Sequence, residues 1–428
     1  MAAEAPAPER PITPGYANYV LGILFVVYVF NFIDRQILSI LLQSIKEDLG
    51  ASDTQLGFLA GPAFALFYTF AGIPLARWAD LGVRRNVIAL GLAVWSAMTA
   101  ASGLALHFWH LAAARVGVGI GEAACSPPAH SLLSDYFPPE RRATALAIYA
   151  MGIYVGIMFG YLAGGWIDEF FGWRVAFFVV GLPGVLLAVV LRLTVREPPR
   201  GYSEGREVEG DAPGVGEAFR YLWGLRSFRQ LSLAGAFMSF AGYGVANWAP
   251  TFLIRVHEMG TGAVGTWLGL ITGIAGPVGA YLGGRLTDAL VRRDPRWYAW
   301  IPVGAALLSL PFGCLFLLWP DPQVALLLSI PSTLAGAVWL GPIFSCVQGL
   351  VGLRMRAMAS AILLFVFNLI GLALGSQTVG ILNDRVFADQ GIEAIRWSLL
   401  AVVVVMNLWA ALHFALGARH LRRDLAAA

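Results

Sequence analysis

The sequence predicts an all-α integral membrane protein with twelve transmembrane helices in two six-helix halves. Three observations lead to this fold class. Apolar residues make up 58% of the 428 residues and charged residues only 13%, whereas a soluble domain carries about 25% charge. The chain also contains a series of apolar windows long enough to cross about 30 Å of hydrocarbon. Finally, a short basic motif recurs 208 positions further along the chain.

The twelve predicted spans share a low charge content and a length near or above the roughly 20 residues that a membrane helix needs. They cover residues 17–43, 53–79, 86–106, 109–135, 142–166, 173–195, 229–254, 262–290, 298–320, 322–353, 355–381 and 396–418.

The chain divides into an N-terminal half at 1–195, a cytoplasmic linker at 196–228 and a C-terminal half at 229–428. The linker is dense in Gly, Pro and charges of both signs, which is typical of a loop between folded parts. Its last stretch, VGEAFRYLWGL, can form a short helix on the membrane surface.

The distribution of Lys and Arg predicts the orientation. Placing both termini and the linker on one side gives that side 22 basic residues and the other side five. Because basic loops stay in the cytoplasm, we expect both termini to be cytoplasmic. One Lys against 28 Arg indicates a GC-rich bacterial genome, and hence the bacterial inner membrane.

An internal repeat supports the two halves. ARWADLGVRR at 76–85 aligns with GRLTDALVRR at 284–293, and RATALA at 142–147 echoes RAMASA at 356–361. Both matches fall at equivalent helices, as expected for transporters whose two halves rock about a central site.

These motifs resemble known families. The D-x-x-x-R-R pattern, preceded by Ala76 in the first half and Gly284 in the second, resembles the signature of the major facilitator superfamily, which usually begins with Gly. NFIDRQ at 31–36 and RVGVGIGEAACSPPAHSLLSDYFP at 115–138 resemble the spinster-type lipid transporters. The superfamily resemblance covers nearly the whole chain, and the spinster resemblance rests on the first five helices.

Four ionisable residues lie inside predicted spans, away from helix ends: Asp34, Arg35, Arg115 and Glu122. Charge within a membrane span is costly and therefore indicates function. All four lie in the first half, and the second-half equivalent of Asp34 is Gly242. A static structural network of ion pairs is the alternative interpretation.

The chemistry of these four residues fits a coupled transporter. An arginine that moves toward or away from a buried carboxylate changes its proton affinity, which can couple protons to a conformational change. Arginine is also the natural ligand of phosphate and carboxylate head groups. The spinster resemblance implies Asp34 and Glu122 as the proton-coupling pair, with Arg35 as a gate or head-group contact. From the chemistry of arginine, Arg115 is a further candidate for the head-group or gating role.

Two further groups of residues are candidates. Charged residues at the cytoplasmic surface are expected to form a gate, or alternatively only set the orientation: Asp80, Arg84, Arg85, Arg142, Asp288, Arg292 and Arg293. Aromatic and amide side chains of the second half are expected to line the cavity, or alternatively to pack between helices: Phe240, Tyr243, Asn247, Trp248, Phe344, Gln348, Phe365 and Asn368.

The resemblance to spinster proteins implies export of lysophospholipids or sphingosine-1-phosphate-like lipids in exchange for protons by alternating access. Alternatives are a proton-driven multidrug exporter, an organic-anion/proton symporter, or an uncoupled lipid scramblase or receptor. Without Walker, HExxH or Ser-His-Asp sequences, we expect no cofactor, no metal and no enzymatic activity, with the proton gradient as energy source. The expected partners are the bilayer, an amphiphilic substrate and protons. With a net charge of only +3 we expect no nucleic acid, and we expect the protein to be a monomer.

Overall fold

The computed structural model describes residues 12–203, 215–352 and 355–426. Nearly all of these residues are helical, which confirms the all-α fold. The helices up to residue 203 are α1 (Pro14–Leu49), α2 (Asp53–Ala60), α3 (Pro62–Leu81), α4 (Arg84–Ser102), α5 (Phe108–Glu122), α6 (Ser126–Tyr136), α7 (Pro139–Phe171) and α8 (Trp173–Thr194).

The rest of the described chain continues in the same way. Its helices are α9 (Val215–Gly224), α10 (Arg226–His257), α11 (Thr261–Leu290), α12 (Trp297–Leu318), α13 (Pro322–Val338), α14 (Leu340–Gly349), α15 (Arg356–Val366), α16 (Ala373–Ile381) and α17 (Ala394–Ala426). Two π-helical segments, Phe367–Leu372 and Leu382–Val386, and a 3-10 helix, Ala388–Glu393, join the last three.

The helices follow the predicted spans, with breaks inside some of them. The predicted span 53–79 is α2 and α3, 109–135 is α5 and α6, and 322–353 is α13 and α14. Within the described residues, nine segments are long and apolar enough to cross a membrane by length and composition. Helices α4 and α10 and the broken pair α5–α6 occupy the other three predicted positions.

The chain forms two compact units, and their boundaries differ from the predicted halves. The first unit comprises residues 1–38 and 66–210, and the second comprises 39–65 and 211–428. The end of α1, the whole of α2 and the start of α3 therefore belong to the unit that contains the C-terminal half. This exchange comes from contacts such as the ion pair between Asp53 and Arg255.

In the first unit, a stripe of glycines on α7 lets α1 approach closely. A methyl group at Gly156 would lie 2.6 Å from Cβ of Phe32, and one at Gly160 would lie 2.9 Å from Cβ of Gln36. Such small-residue steps are the usual way for membrane helices to pack. The stripe fixes the face of α1 on either side of Asp34 and Arg35.

In the second unit, the core brings together residues of α10, α12, α14, α15 and α17. Phe228, Trp339, Phe367 and Phe414 are buried together there. The short helix α9 packs Ala218 and Leu222 against this core, while Phe219 and Tyr221 are exposed. The helix predicted for the stretch after the linker is therefore present, with one apolar face covered by protein.

The first residues of the predicted linker are bound to the first unit. The hydroxyl of Tyr136 donates a hydrogen bond to the carbonyl of Arg196 at 2.6 Å, and Nη2 of Arg200 donates to the carbonyl of Ala79 at 2.7 Å. Residues 195–203 therefore follow the surface of this unit closely. The middle of the linker, 204–214, lies outside the described residues.

Arg84 of the repeated motif anchors this segment. Its side chain is only 1% exposed, forms an ion pair with Asp135, and donates from Nε to Glu197 at 2.6 Å. Its Nη2 also donates to the carbonyl of Pro198 at 3.1 Å. The equivalent residue of the second repeat, Arg292, is exposed. The two copies of the motif thus differ in structure although their sequences match.

We expect Arg84→Gln to destabilise the protein, because it leaves two partly buried carboxylates without a cation. Breaking a buried ion pair from one side costs about 3 kcal/mol or more. The apparent Tm of the purified protein in detergent should fall by about 5 °C or more. The matched control is Arg292→Gln, at the exposed equivalent position, which should change the Tm little. Equal Tm losses in both variants would contradict this prediction.

Candidate functional site

Four charged side chains of the first unit form the candidate site. Asp34 and Arg35 are neighbours on α1, so their side chains leave the helix about 100° apart. Arg115 and Glu122 lie seven residues apart on α5, and therefore on one face of it. Asp34, Arg115 and Glu122 are buried, with at most 3% of each residue exposed.

Arg35 and Glu122 form the central ion pair. Nε of Arg35 donates to Oε2 of Glu122 at 2.6 Å; the Glu122 side chain is fully buried and that of Arg35 is 16% exposed. The guanidinium carbon also lies 5.0 Å from the ring centre of Phe32 and 4.6 Å from that of Tyr68. A cation between aromatic faces gains further stabilisation. The guanidinium is therefore held in place, while part of the Arg35 side chain stays exposed.

Asp34 has a different environment from Glu122. Its two carboxylate oxygens are buried and accept no hydrogen bond from any residue that the structure describes. Nη1 of Arg115 donates instead to the main-chain carbonyl of Asp34, at 3.3 Å. Within the described residues, Glu122 therefore has a direct ion-pair partner, whereas the Asp34 carboxylate accepts no hydrogen bond.

Sequence reasoning missed several neighbours of the ion pair. The fully buried side chain of Asn31 faces Glu122 from α1. Tyr28 stacks on Tyr149 of α7 with ring centres 4.2 Å apart. Tyr28 and Asn31 lie seven and four residues before Arg35, so a reading of that helix face could have found both. Tyr68 and Tyr149 carry no local signal, because only the packing of α3 and α7 brings them to α1.

The predicted cavity-lining residues of the second half divide into buried and accessible groups. Trp248 is fully buried and donates from Nε1 to the carbonyl of Ser376 at 2.9 Å. Asn247 is 8% exposed; it accepts a hydrogen bond from Ser39 at 2.5 Å and donates one to Ser376. Phe240 is also buried. These three side chains stand in the packing between helices. The remaining predicted residues are partly or fully exposed: Tyr243, Phe344, Gln348, Phe365 and Asn368.

The hydrogen bond between Ser39 and Asn247 joins equivalent positions of the two repeats, since the residues are 208 apart. Asn247 lies in α10 and Ser39 in the segment of α1 that belongs to the second unit. Equivalent residues of the repeats therefore touch each other directly.

The predicted gate residues are divided between the two units. In the first unit, Arg85 donates to the carbonyl of Val195 at 2.8 Å and Arg142 donates to the carbonyl of Ser134 at 2.9 Å, while Asp80 is exposed.

In the second unit, Asp288, Arg292 and Arg293 are exposed. Asp288 and Arg292 line a cavity of about 200 Å³. Asp294 directly follows Arg293 in the sequence. The Arg422 guanidinium, which comes from the last helix, holds the pKa of the Asp294 carboxyl well below its usual range. Arg422 and Asp294 lie in contact at 2.8 Å.

A second group of charges, the Asp53 cluster, attaches residues 39–65 to the second unit. The Asp53 carboxylate accepts from Lys46 at 2.5 Å, from Arg255 at 2.6 and 2.8 Å, and from Asn383 at 2.9 Å. The Asp384 carboxylate accepts from the first main-chain N–H groups of α2, at Asp53 and Thr54. An acid at a helix N-terminus is favourable. The cluster explains why this segment leaves the first unit.

Comparison with known proteins agrees with the fold. The sequence matches the Major Facilitator Superfamily over residues 24–376. The chain belongs to the Major Facilitator Superfamily, a family of multi-pass membrane transporters.

Within that family the chain is a transporter of the spinster type. A crystal structure of a bacterial homologue of the human lysosomal transporter Spinster, inward-facing and unoccupied, matches with a TM-score of 0.87 and 34% identity, covering 96% of this chain and 99% of that one. Protein spinster homolog 1 of Homo sapiens is 27% identical over 87% of this chain and 74% of its own length. An MFS-type efflux pump of Mycolicibacterium smegmatis is 36% identical over 96% of this chain and 95% of its own length.

We expect Asp53→Asn to loosen α2 from the second unit, because Lys46 and Arg255 then face each other without the anion between them. Hydrogen–deuterium exchange of the amides of Asp53–Ala60 should become at least tenfold faster. The matched control is Asp389→Asn, at an exposed acid with no part in the cluster. Unchanged exchange in α2 would show that the Asp53 carboxylate does not hold the segment.

Proposed function

We propose that this protein is a proton-coupled, alternating-access transporter that exports amphiphilic lipids with a zwitterionic head group, such as lysophospholipids or sphingosine-1-phosphate-like lipids. The observation that carries the proposal is the buried ion pair of Arg35 and Glu122, together with a buried Asp34 carboxylate that accepts no hydrogen bond within the described part of the chain. Both acids can hold a proton, and the arginine can hold an anion.

Two buried acids next to arginines support proton coupling. An ionised carboxylate away from water is costly unless it is paired, so it exchanges its charge for a proton when its partner moves away. Glu122 depends on Arg35 for its pairing, and any ligand that engages the guanidinium disturbs that pairing. Proton binding and ligand binding are therefore linked through one contact.

The lipid part of the proposal rests on the chemistry of the site and on the relatives. The guanidinium of the partly exposed Arg35 side chain suits a phosphate, and Phe32 and Tyr68 beside it provide apolar surface. An ammonium group in the same head group can form an ion pair with the carboxylate of Glu122. Such a lipid competes with the proton for the acid, which favours exchange of lipid against protons.

Alternating access requires a contact that opens during the cycle. The Asp53 cluster is a suitable one, because it joins a segment of the N-terminal half to α10 and to the segment after α16 by charges rather than by apolar packing. We infer that residues 39–65 leave the second unit in another state of the transport cycle.

The test is flux of a labelled lysophosphatidylcholine in proteoliposomes, with and without an imposed pH gradient. We expect the gradient to stimulate flux in the wild type at least tenfold, and Glu122→Gln and Asp34→Asn to lose that stimulation, because an amide cannot take up a proton. Asp389→Asn, an exposed acid, is the matched control and should retain it.

The other outcomes separate the alternatives. Absence of lipid flux in the wild type would refute the lipid assignment. Flux that persists unchanged in both amide variants would indicate an uncoupled transporter or scramblase. Lysophosphatidic acid, which has no ammonium group, should be exchanged more slowly than lysophosphatidylcholine.

Drug efflux is a second candidate function, because the relative from Mycolicibacterium smegmatis is an efflux pump. A cationic drug can form an ion pair with the buried carboxylate of Asp34 or Glu122 in the place of a proton. We expect such a function to raise the resistance of a drug-sensitive host to lipophilic cations, and Glu122→Gln to abolish that resistance. Unchanged sensitivity of the host would exclude this candidate.

A further inference from the structure

The guanidinium of Arg35 occupies a position with the walls of a cation-binding site. One wall is the carboxylate of Glu122, which lies 2.6 Å from Nε and belongs to a fully buried side chain. The other two walls are aromatic rings, since the ring centre of Phe32 lies 5.0 Å and that of Tyr68 lies 4.6 Å from the guanidinium carbon. An anion and aromatic faces around one point attract an organic cation strongly.

Three helices of the first unit build this position. Phe32 precedes Arg35 by three residues on α1, so the two side chains are neighbours on the helix surface. Tyr68 comes from α3 and Glu122 is the last residue of α5. The ring of Tyr28 meets that of Phe32 edge-on, with ring centres 5.2 Å apart. The walls of the position are therefore fixed by helix packing and not by Arg35 alone.

The position is partly open. Phe32 and Tyr68 are half-buried, and 16% of the Arg35 side chain is exposed, whereas the Glu122 side chain is fully buried. A small cation can approach along the exposed side chains, while the carboxylate that attracts it stays away from water. Electrostatic attraction is stronger in such a place than at a fully exposed acid.

We propose that Glu122, Phe32 and Tyr68 form a binding site for a quaternary ammonium group, and that Arg35 fills this site as an internal substitute when no ligand is bound. The role of the site in transport rests on the proposed function, but its existence does not. A quaternary ammonium is preferred to a primary one, because its methyl groups pack on the rings. A primary ammonium brings three N–H donors, for which aromatic faces are poor acceptors.

Exchange of the two cations allows one head group to use both charges of the ion pair. When an ammonium group takes the place of the guanidinium, Glu122 keeps a counter-charge and Arg35 is released toward the phosphate of the same head group. Arginine binds phosphate with two parallel hydrogen bonds. In the exchanged arrangement each charge again has a partner, which avoids the large cost of an unpaired buried charge.

The experiment removes the internal substitute and supplies a cation from solution. Full-length Arg35→Ala is purified in a maltoside detergent, which carries no cation, in mildly alkaline buffer, where protons compete little with the added ion. Its Tm is measured in tetramethylammonium chloride and in ammonium chloride over the same range of concentrations. We expect tetramethylammonium to raise the Tm by about 3 °C or more above its value in ammonium. The apparent Kd of tetramethylammonium should be about tenfold lower than that of ammonium.

Further variants in the Arg35→Ala background locate the effect. Glu122→Gln should abolish the response to tetramethylammonium, because an amide carries no charge. Tyr68→Leu and Phe32→Leu should each reduce the preference for tetramethylammonium over ammonium to about threefold or less. Equal responses to the two cations would overturn the inference, and so would a response that survives Glu122→Gln.

A matched control comes from another arginine over an aromatic ring. The guanidinium carbon of Arg196 lies 4.9 Å from the ring centre of Tyr16, but this arginine is exposed. Arg196→Gln in the otherwise unchanged protein should show the same Tm in both salts. A stabilisation of Arg196→Gln by tetramethylammonium equal to that of Arg35→Ala would overturn the inference, because the effect would then not belong to the site.

A second measurement keeps the arginine and therefore does not depend on the folding of Arg35→Ala. In equilibrium binding to the purified wild type, lysophosphatidylcholine should bind about tenfold more tightly than lysophosphatidylethanolamine, whose ammonium has no methyl groups. Tyr68→Leu should reduce this ratio to about threefold or less. Phe159→Leu, at an exposed aromatic residue of α7, should leave it unchanged. Equal affinities of the two lipids for the wild type would overturn the inference.

The salt experiment is independent of transport. If tetramethylammonium stabilises Arg35→Ala as expected while lysophosphatidylcholine flux is absent or ignores the pH gradient, the proposed function fails and the cation site stands. If flux follows the gradient and Arg35→Ala does not distinguish the two cations, the proposed function stands and the cation site fails.

Discussion

The cost of holding charge away from water is the constraint on which the rest of this structure depends. Glu122 is fully buried, and its ionised form requires Arg35, whose Nε lies 2.6 Å from it. That contact requires α1 to lie close to α5 and to keep one rotational setting. The glycine stripe of α7 holds the adjoining face of α1, since any larger residue at Gly156 would displace Phe32. Helix packing and site chemistry are thus parts of one arrangement.

The same constraint explains how the two repeats differ. Their matching basic motifs place Arg84 and Arg292 at equivalent positions, yet Arg84 is buried and Arg292 is exposed. Arg84 can be buried because Asp135 and the linker residue Glu197 supply two anions. Inside the predicted spans, the position of the second repeat that is equivalent to Asp34 is Gly242, which carries no charge. The sequence repeat therefore gives both halves the same arrangement of helices. Whether a charged residue of the repeat is buried or exposed depends on the oppositely charged groups near it.

Much of the fold and part of the site could be predicted from the sequence. The length of the apolar segments locates the helices. Spans 53–79, 109–135 and 322–353 were each predicted as one helix, and each is broken into two in the structure. The four charges of the site stand out because charge is rare in such segments. The attachment of residues 39–65 to the second unit could not be predicted, because it depends on Arg255 and Asn383, about 200 and 330 positions away from Asp53. The burial of Trp248 and Asn247 in helix packing was equally open, since aromatic and amide side chains serve in packing and at accessible surfaces alike.

The sequence by itself determined that the protein is a helical membrane transporter, and that the ionisable residues inside its predicted spans, away from helix ends, lie in the first half. These properties follow from hydrophobic length and from the cost of charge, which act on each segment separately. Only the tertiary structure decided which acid pairs with which arginine. Asp34 and Arg35 are adjacent in sequence but leave α1 in different directions. The packing of α5 therefore gives Arg35 the carboxylate of Glu122, while both carboxylate oxygens of Asp34 are buried without a hydrogen-bond partner among the described residues.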